Sequence, residues 1–349
     1  MVKLARLAST WKSDALRIGG PLLLAALSVG IGSRSAVAAG CPMAPPIVQT
    51  LDIPRFYGDV EGAVVDPALA AAHKKAVEPL RQFLHQVTAD ADHAHTRPSP
   101  KSQAEAAQCA LGWLQTWAAG RAWLGVMPTK QAEYQRKWDL AGVALAYLKV
   151  RMFATPDQRL TIEPWLQTFA DTARAFFDDP EHKRNNHWYW LGLGEAAVGL
   201  ATDSPRHFDI ARGIMQDAAR DIAANGTLPD EMARKQRALH YHAFAVMPLV
   251  MLAEIGAARG EDWYSFGNGA LHRLVAVTIS GLQDPALFDS LAGVAQERPP
   301  NARAGWLQVY QSRFPARVPP VTFAVAAGHR WLGGNAPMLL DTLRRLDLH

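Results

Sequence analysis

The chain is 349 residues long, 49% hydrophobic and 19% charged, too apolar for a disordered polypeptide and long enough for one large core. Its formal net charge of +4 sits at one end, where residues 1–38 carry Lys3, Arg6, Lys12, Arg17 and Arg34 against Asp14 alone. The remainder is close to neutral, so the basic balance gives no argument for a nucleic-acid partner.

In chain order, residues 1–38 combine a basic start, an apolar stretch from Pro21 to Ile31 and a small-residue cleavage site at Ala36-Val37-Ala38, the pattern of a secretory signal. The stretch falls short of the about 20 apolar residues that span a bilayer. A lipid on Cys41 would need a Leu-rich sequence before it, and Val37-Ala38-Ala39-Gly40 is a poor match, so no membrane anchor is expected. The mature chain, 39–349, reads as one domain without a long linker. Its two cysteines, Cys41 and Cys109, would meet an oxidising compartment, where an even count is ordinarily a bridge; two separate buried thiols are the alternative.

Beyond Cys41 the sequence predicts helices joined by short Pro, Gly and Asp-rich connections, with no run of β-branched alternation. Asp66-Pro67 opens a helix whose apolar face runs through Leu80, Phe83, Leu84 and Val87, with a kink expected at Pro79. Further amphipathic patterns follow at Leu111, Leu114 and Trp117; at Tyr134, Trp138, Ala141, Leu145, Leu148 and Met152; and at Trp165, Phe169, Ala173 and Phe176. One helix is predicted from Asn185 to about Ala201, one from Pro205 to Ala224, a long apolar one from about Glu231 to Arg259, and another across Leu271–Ile279. Such helices stack as successive antiparallel hairpins. With no fixed-period repeat in the sequence, an all-α toroid is favoured over a solenoid.

Two clusters carry candidate chemistry. In Asn185-Asn186-His187-Trp188-Tyr189-Trp190, helical spacing would put the Asn186 amide, the His187 imidazole and the Trp190 indole on one face. That set can hold a carboxylate, move a proton and pack against a sugar ring; the plain alternative is a helix cap with core aromatics. In the second cluster, Arg234, Arg237, Tyr241 and Phe244 recur at three, four and three, a stripe suited to an acidic ligand. Its alternative is a solvated basic face with a packed tyrosine. His240 and His242 diverge on a helix, and no zinc motif, Gly-rich phosphate loop or nucleophile elbow occurs, so neither metal nor cofactor is expected. Glu195, Asp203, Asp230 and Glu231 form no recognisable glycosidase pair.

Asn185-Asn186-His187 with Tyr189-Trp190, then Leu228-Pro229, Glu231, Gln236-Arg237-Ala238-Leu239 and Tyr241-His242, resemble the periplasmic alginate lyases of polysaccharide lyase family 5. Arg136-Lys137-Trp138, Ala146-Tyr147-Leu148 and Gly269-Ala270-Leu271 fit the same pattern, which extends from Cys41 to Leu332-Gly333-Gly334. The resemblance implies an incomplete α/α toroid, a Cys41–Cys109 bridge and β-elimination on a uronic-acid polymer. By position, Asn186 and Arg237 would neutralise the substrate carboxylate, His187 would assist or act as base, and Arg234, Trp190, Trp138, Gln236, Tyr241 and Phe244 would line the subsites. It also implies an acidic polysaccharide substrate and a link to exopolysaccharide export, while the N-terminal signal gives a periplasmic location and a near-neutral mature charge with a groove for a chain-like ligand is compatible with a monomer.

The sequence departs from that family at informative places. The family's catalytic tyrosine falls at Phe244, which has no hydroxyl. A substrate-binding lysine expected near Phe56-Tyr57-Gly58-Asp59 is replaced, the nearest position being Val60, and charged residues expected around Leu332-Gly333-Gly334 are Trp331 and Asn335. Three readings follow: a lyase with Tyr241 as proton donor and His187 as base, a polyuronate-binding protein with little turnover, or a toroidal scaffold for a protein partner of secretion.

Overall fold

A computed structural model describes residues 40–59 and 62–346. The secretory segment and Val60 lie outside the described residues. Asp66 accepts hydrogen bonds from the N–H groups of Ala68 and Leu69, both at 2.9 Å, and Pro67 opens α1 (Pro67–Ala76), as the sequence predicts. Pro79 does not kink that helix. Instead α1 ends, and α2 (Glu78–Thr96) starts with Pro79 in its first turn, where no N–H is needed.

Capping boxes at Ser99–Ser102 and Thr155–Gln158 open α3 (Pro100–Ala119) and α5 (Pro156–Ala175), on either side of α4 (Lys130–Val150). Met152 lies beyond α4 in a 3-10 turn and is exposed, so it is not part of the packed face. Next come α6 (Asn186–Ala201) and α7 (Pro205–Asp221), the latter shorter than the pattern suggests. The long helix expected from Glu231 is broken. A four-residue α8 (Pro229–Met232) precedes a turn in which Lys235 takes φ +51°, and α9 (Ala238–Ala258) begins only after it. The helical part of the chain closes with α10 (Phe266–Gln283), α11 (Ala286–Ala292), α12 (Leu307–Arg313) and α13 (Ala336–Leu346). Ahead of α13, β1 (Gly328–His329) and β2 (Gly334–Asn335) pair antiparallel across a tight hairpin.

These helices form two layers. The inner helices α2, α4, α6 and α9 pack side by side, each backed by its successor in sequence: α3, α5, α7 and α10. The result is an α/α toroid of antiparallel hairpins. The layering explains the composition of α6 and α9, which are apolar all round because every residue of Asn186–Ala201 and of Ala238–Gly256 is buried. By contrast, the outer helix α7 keeps one polar face. Contact between layers is close: a Cβ at Gly199 of α6 would lie 2.8 Å from the backbone N of Phe208 in α7, so only glycine fits that crossing.

Cys41 and Cys109 form a disulfide, with Cα atoms 5.4 Å apart. It starts a strap that runs over α3 and toward α4. Pro42 and Pro45 carbonyls accept the indole N–H groups of Trp113 and Trp117 at 2.8 and 3.2 Å. Val48 and Gln49 carbonyls take the backbone N–H groups of Trp123 and Gly125, both at 2.9 Å, and the Ile53 carbonyl takes the Thr129 hydroxyl at 2.8 Å. The hairpin near the C-terminus is held as firmly. Buried Lys149 donates to Asp92 at 2.6 Å and to the Gly333 and Asn335 carbonyls at 2.7 and 2.9 Å.

Candidate active site

The inner helices, the Lys235 turn and the residues after the strap surround a cleft of about 770 Å³. Tyr134 and Trp138 from α4 form one wall, Arg234, Arg237, His240, Tyr241 and Phe244 the other, and His187 stands at the start of α6 between them. Trp331, carried in by the hairpin, stacks on Trp138 with ring centroids 4.7 Å apart and donates to Asp139 at 3.2 Å. Phe244 completes this aromatic floor, 5.8 Å from Trp138 and 5.1 Å from Trp190. Arg55, Lys130 and Lys183 also line the cleft.

The break before α9 shapes the cationic wall. Gln296 donates to the Lys235 carbonyl and accepts from the Leu239 N–H, both at 3.0 Å, fixing the turn and capping the helix. Arg234 and Arg237 thereby project around Tyr241 from either side of Lys235, their guanidinium carbons 4.6 and 5.8 Å from its ring centre. Across the opening, the Tyr57 hydroxyl hydrogen-bonds that of Tyr241. The arm bearing Tyr57 is braced by the Asp59 carboxylate, which accepts the Val64 N–H at 2.7 Å, and by Gln236, which donates to the Ala63 carbonyl at 3.1 Å.

Protonation states divide the site. Burial, with the nearby cations Lys137 and Arg234 adding to it, holds His187 well below the ordinary histidine range, so at neutral pH it is an uncharged proton acceptor. Burial raises Tyr241 well above the ordinary phenol range, and the bond to Tyr57 acts the same way; Tyr241 keeps its proton and is a proton donor, not a base. His187 Nδ1 is buried without a hydrogen-bond partner, and the His187 ring lies flat on Tyr134, with centroids 3.7 Å apart and planes 10° apart. A neutral base, a protonated phenol and two guanidiniums thus share one cleft, the set required to remove a proton beside a carboxylate and protonate a leaving oxygen.

The alginate lyase family model matches residues 56–288, two-thirds of the chain and all of the cleft except Arg55 and Trp331. The chain belongs to the alginate lyase family. It is 44% identical over 298 residues to a polysaccharide lyase of Stenotrophomonas maltophilia, spanning 84% of this chain and 88% of that one. An alginate lyase of Azotobacter vinelandii shares 31% over 292 residues, 79% and 77% of the two chains. Among solved structures, a histidine-to-alanine variant of alginate lyase A1-III complexed with a tetrasaccharide superposes with a TM-score of 0.74 at 24% identity, covering 86% of this chain and 85% of that one. The protein is therefore a carbon–oxygen lyase of the polysaccharide class with the family's toroidal fold.

In this lyase, six of the residues singled out in the sequence, His187, Arg234, Arg237, Tyr241, Phe244 and Trp138, line the cleft. The stripe logic holds only in part, because Arg234 and Arg237 precede α9 and reach Tyr241 through the Lys235 turn. Asn186, Trp190 and Gln236 do not line it. Asn186 is fully buried, its backbone N–H and Nδ2 both donating to Glu231 Oε1 at 3.0 and 2.7 Å, so amide, imidazole and indole do not share one face. Glu231, in the first turn of α8, is buried to make that bond. Trp190 is fully buried beneath Phe244, and Gln236 serves the arm. Sequence reasoning missed Tyr57, Tyr134 and His240 as lining residues. Tyr134 was readable only as core spacing, although it lies one turn from Trp138 on the same helix.

Proposed function

We propose that this lyase cleaves an uronic-acid polymer, alginate or a related glucuronate-containing chain, by β-elimination in the periplasm. The observation that carries the reading is the pairing of neutral His187 with protonated Tyr241 in one cleft whose wall holds Arg234 and Arg237. Arg237 and Arg234 neutralise the C5 carboxylate and lower the acidity barrier at the adjacent carbon. His187 takes the C5 proton, the C–H electron pair forms the C4–C5 double bond, the C4–O bond breaks, and Tyr241 protonates the departing oxygen. Asn186 holds Glu231 with one hydrogen of its Nδ2, which leaves the other to join the carboxylate contacts. The aromatic floor of Trp138, Trp331 and Phe244 supports sugar-ring packing. The basic apolar leader and the Cys41–Cys109 bridge support export.

The test is the ultraviolet absorbance of the unsaturated uronate product, recorded on the mature protein with polymannuronate, polyguluronate, polyglucuronate and hyaluronan. A signal that disappears in His187→Ala supports elimination and names the substrate. Phe244 supports a second reading, a polyuronate-binding protein with little turnover. That reading requires calorimetric binding without absorbance change in the native chain, and a signal gained in Phe244→Tyr.

A further inference from the structure

Both guanidiniums of the cationic wall have a carboxylate oxygen near Nε, and the two pairs differ. Arg234 Nε lies 3.8 Å from Glu231 Oε2, on a carboxyl group that is buried and already holds Asn186. Arg237 Nε lies 3.7 Å from Glu297 Oε2, on a side chain that is 53% exposed. Both separations exceed a hydrogen bond, and Arg237 Nε is buried with no hydrogen-bond partner. The rest of that guanidinium belongs to the cleft: Nη2 faces His240 Nε2 at 3.3 Å, and the central carbon stands 5.4 Å from the ring centre of Tyr57. Glu297 comes from beyond residue 288, where the family model ends, and main-chain bonds place it. Its N–H donates to the Gln236 carbonyl at 2.8 Å, and the N–H of the preceding Gln296 donates to Asp289 at 2.8 Å. The backbone of residue 297 is therefore fixed beside the Lys235 turn, while its carboxylate acts on Arg237 through charge.

We propose that Glu297 sets the affinity of the cleft for acidic sugars: its carboxylate offsets part of the Arg237 charge and so weakens the hold on a substrate carboxylate. The inference rests on Arg237 binding that carboxylate. A second carboxylate arriving at the same guanidinium is repelled by Glu297 and must share the attraction. Solvent-exposed ion pairs of this kind change an equilibrium by about two- to fivefold. The effect serves turnover. β-Elimination leaves the C5 carboxylate on the unsaturated product, so an arginine at full strength would hold product as well as substrate, and binding both alike lowers KM without speeding the reaction. With Glu297 beside it, Arg237 releases the product end more readily.

The test is calorimetric titration with tetramers of mannuronate and of glucuronate, in the His187→Ala background so that no bond is cut during the measurement. Glu297→Gln keeps the shape of the side chain and the backbone bond to Gln236 but removes the charge. Its Kd is expected to fall about two- to fivefold at low salt, and the gain to shrink as salt is raised. A carboxyl-reduced tetramer should bind both chains equally. Glu297→Ala takes its place if the glutamine variant does not fold. Asp171→Asn, which removes the same charge from the exposed pair with Arg206 on the outer helices, should leave Kd unchanged. Weaker or unaltered binding in Glu297→Gln overturns the inference, since a residue that merely braces Arg237 can only lose affinity when its charge is removed. Equal tightening in Asp171→Asn also overturns it, by assigning the gain to net charge. If neither the native chain nor the His187→Ala chain binds any uronate tetramer, the functional reading fails and the inference fails with it.

Discussion

Replacing Tyr241 by phenylalanine separates its chemistry from its packing. The ring keeps its edge contact with Phe244, whose centroid is 6.4 Å away, and the Arg234 guanidinium over its face at 4.6 Å. What is lost is the hydroxyl and its bond to Tyr57. A neutral hydrogen bond contributes about 1 kcal/mol net, so in a chain of this size the melting temperature should fall by only about 2 °C. Removing a positioned proton donor costs about 10²–10⁴ in rate, equivalent to about 3–5 kcal/mol of barrier. The assay is product absorbance under saturating polymer, with melting followed by circular dichroism. Tyr57→Phe is the control, since it removes the same bond but leaves the Tyr241 hydroxyl in place; it should melt like Tyr241→Phe and lose less than about tenfold in kcat. A Tyr241→Phe enzyme within a few-fold of the native rate would refute the donor assignment, and equal losses in the two variants would make the bond, not the proton, the functional element.

Further outcomes follow from the same geometry. Arg237→Ala should lower kcat/KM by about 10²–10³, with Arg237→Lys recovering only part because a bidentate fork becomes a point charge; full recovery by lysine would argue against bidentate binding. Lys149→Met strips a buried cation from Asp92 and two carbonyls and should cost about 3 kcal/mol in urea unfolding, whereas Arg206→Ala breaks only the exposed pair with Asp171 and should cost less than about 1 kcal/mol. His242 is buried between the Leu228 N–H and the Ala238 carbonyl, each at 2.8 Å, and burial lowers it to about 4. Because its folded value lies below the unfolded one, stability is fully present above about pH 6.5 and declines as pH falls toward 4, by about 3 kcal/mol in all. Asp139, which burial raises to about 6, runs the other way. The native curve should therefore be flatter than His242 alone would give, and the difference between native protein and His242→Gln in urea melts at pH 7 and pH 4.5 isolates the histidine.

Helix positions were legible where amphipathic spacing coincided with a cap: Asp66-Pro67, and the outer helices with one apolar face. The inner helices were recognisable as apolar runs, but their ends were not, since residues buried on all sides carry no periodicity to mark where a helix begins. The start of α9 shows this. Arg234, Lys235 and Gln236 continue a helical spacing on paper, and only the left-handed backbone at Lys235, stabilised by the distant Gln296, ends it. The cleft residues on α9 and at the start of α6 were readable because their residue types are unusual for a core. Tyr57 and Trp331 were not, since each reaches the cleft through a long-range tether: the strap for one, the Lys149-anchored hairpin for the other. Asn186 was misplaced because spacing gives a face but not a partner, and Glu231, 45 residues away, decides where its amide points.

The strap has a kinetic consequence. The Ile53 carbonyl on Thr129 and the Pro54 carbonyl on His73, at 2.8 and 3.2 Å, hold it to the body, and beyond them the arm is tied to itself, the Phe56 carbonyl taking the Asp66 N–H and the Val64 carbonyl the Gly58 N–H, both at 3.0 Å. Tyr57 lies three residues beyond Pro54, a reach of about 10 Å even when fully extended. Opening the cleft at Tyr57 breaks its bond to Tyr241, yet the phenol stays tethered at high effective concentration beside Tyr241. Short loops of this kind close in about 10–100 ns, far faster than a typical turnover of about 1–10³ per second. Restoring the Tyr57–Tyr241 contact after each product leaves would therefore add nothing measurable to the catalytic cycle.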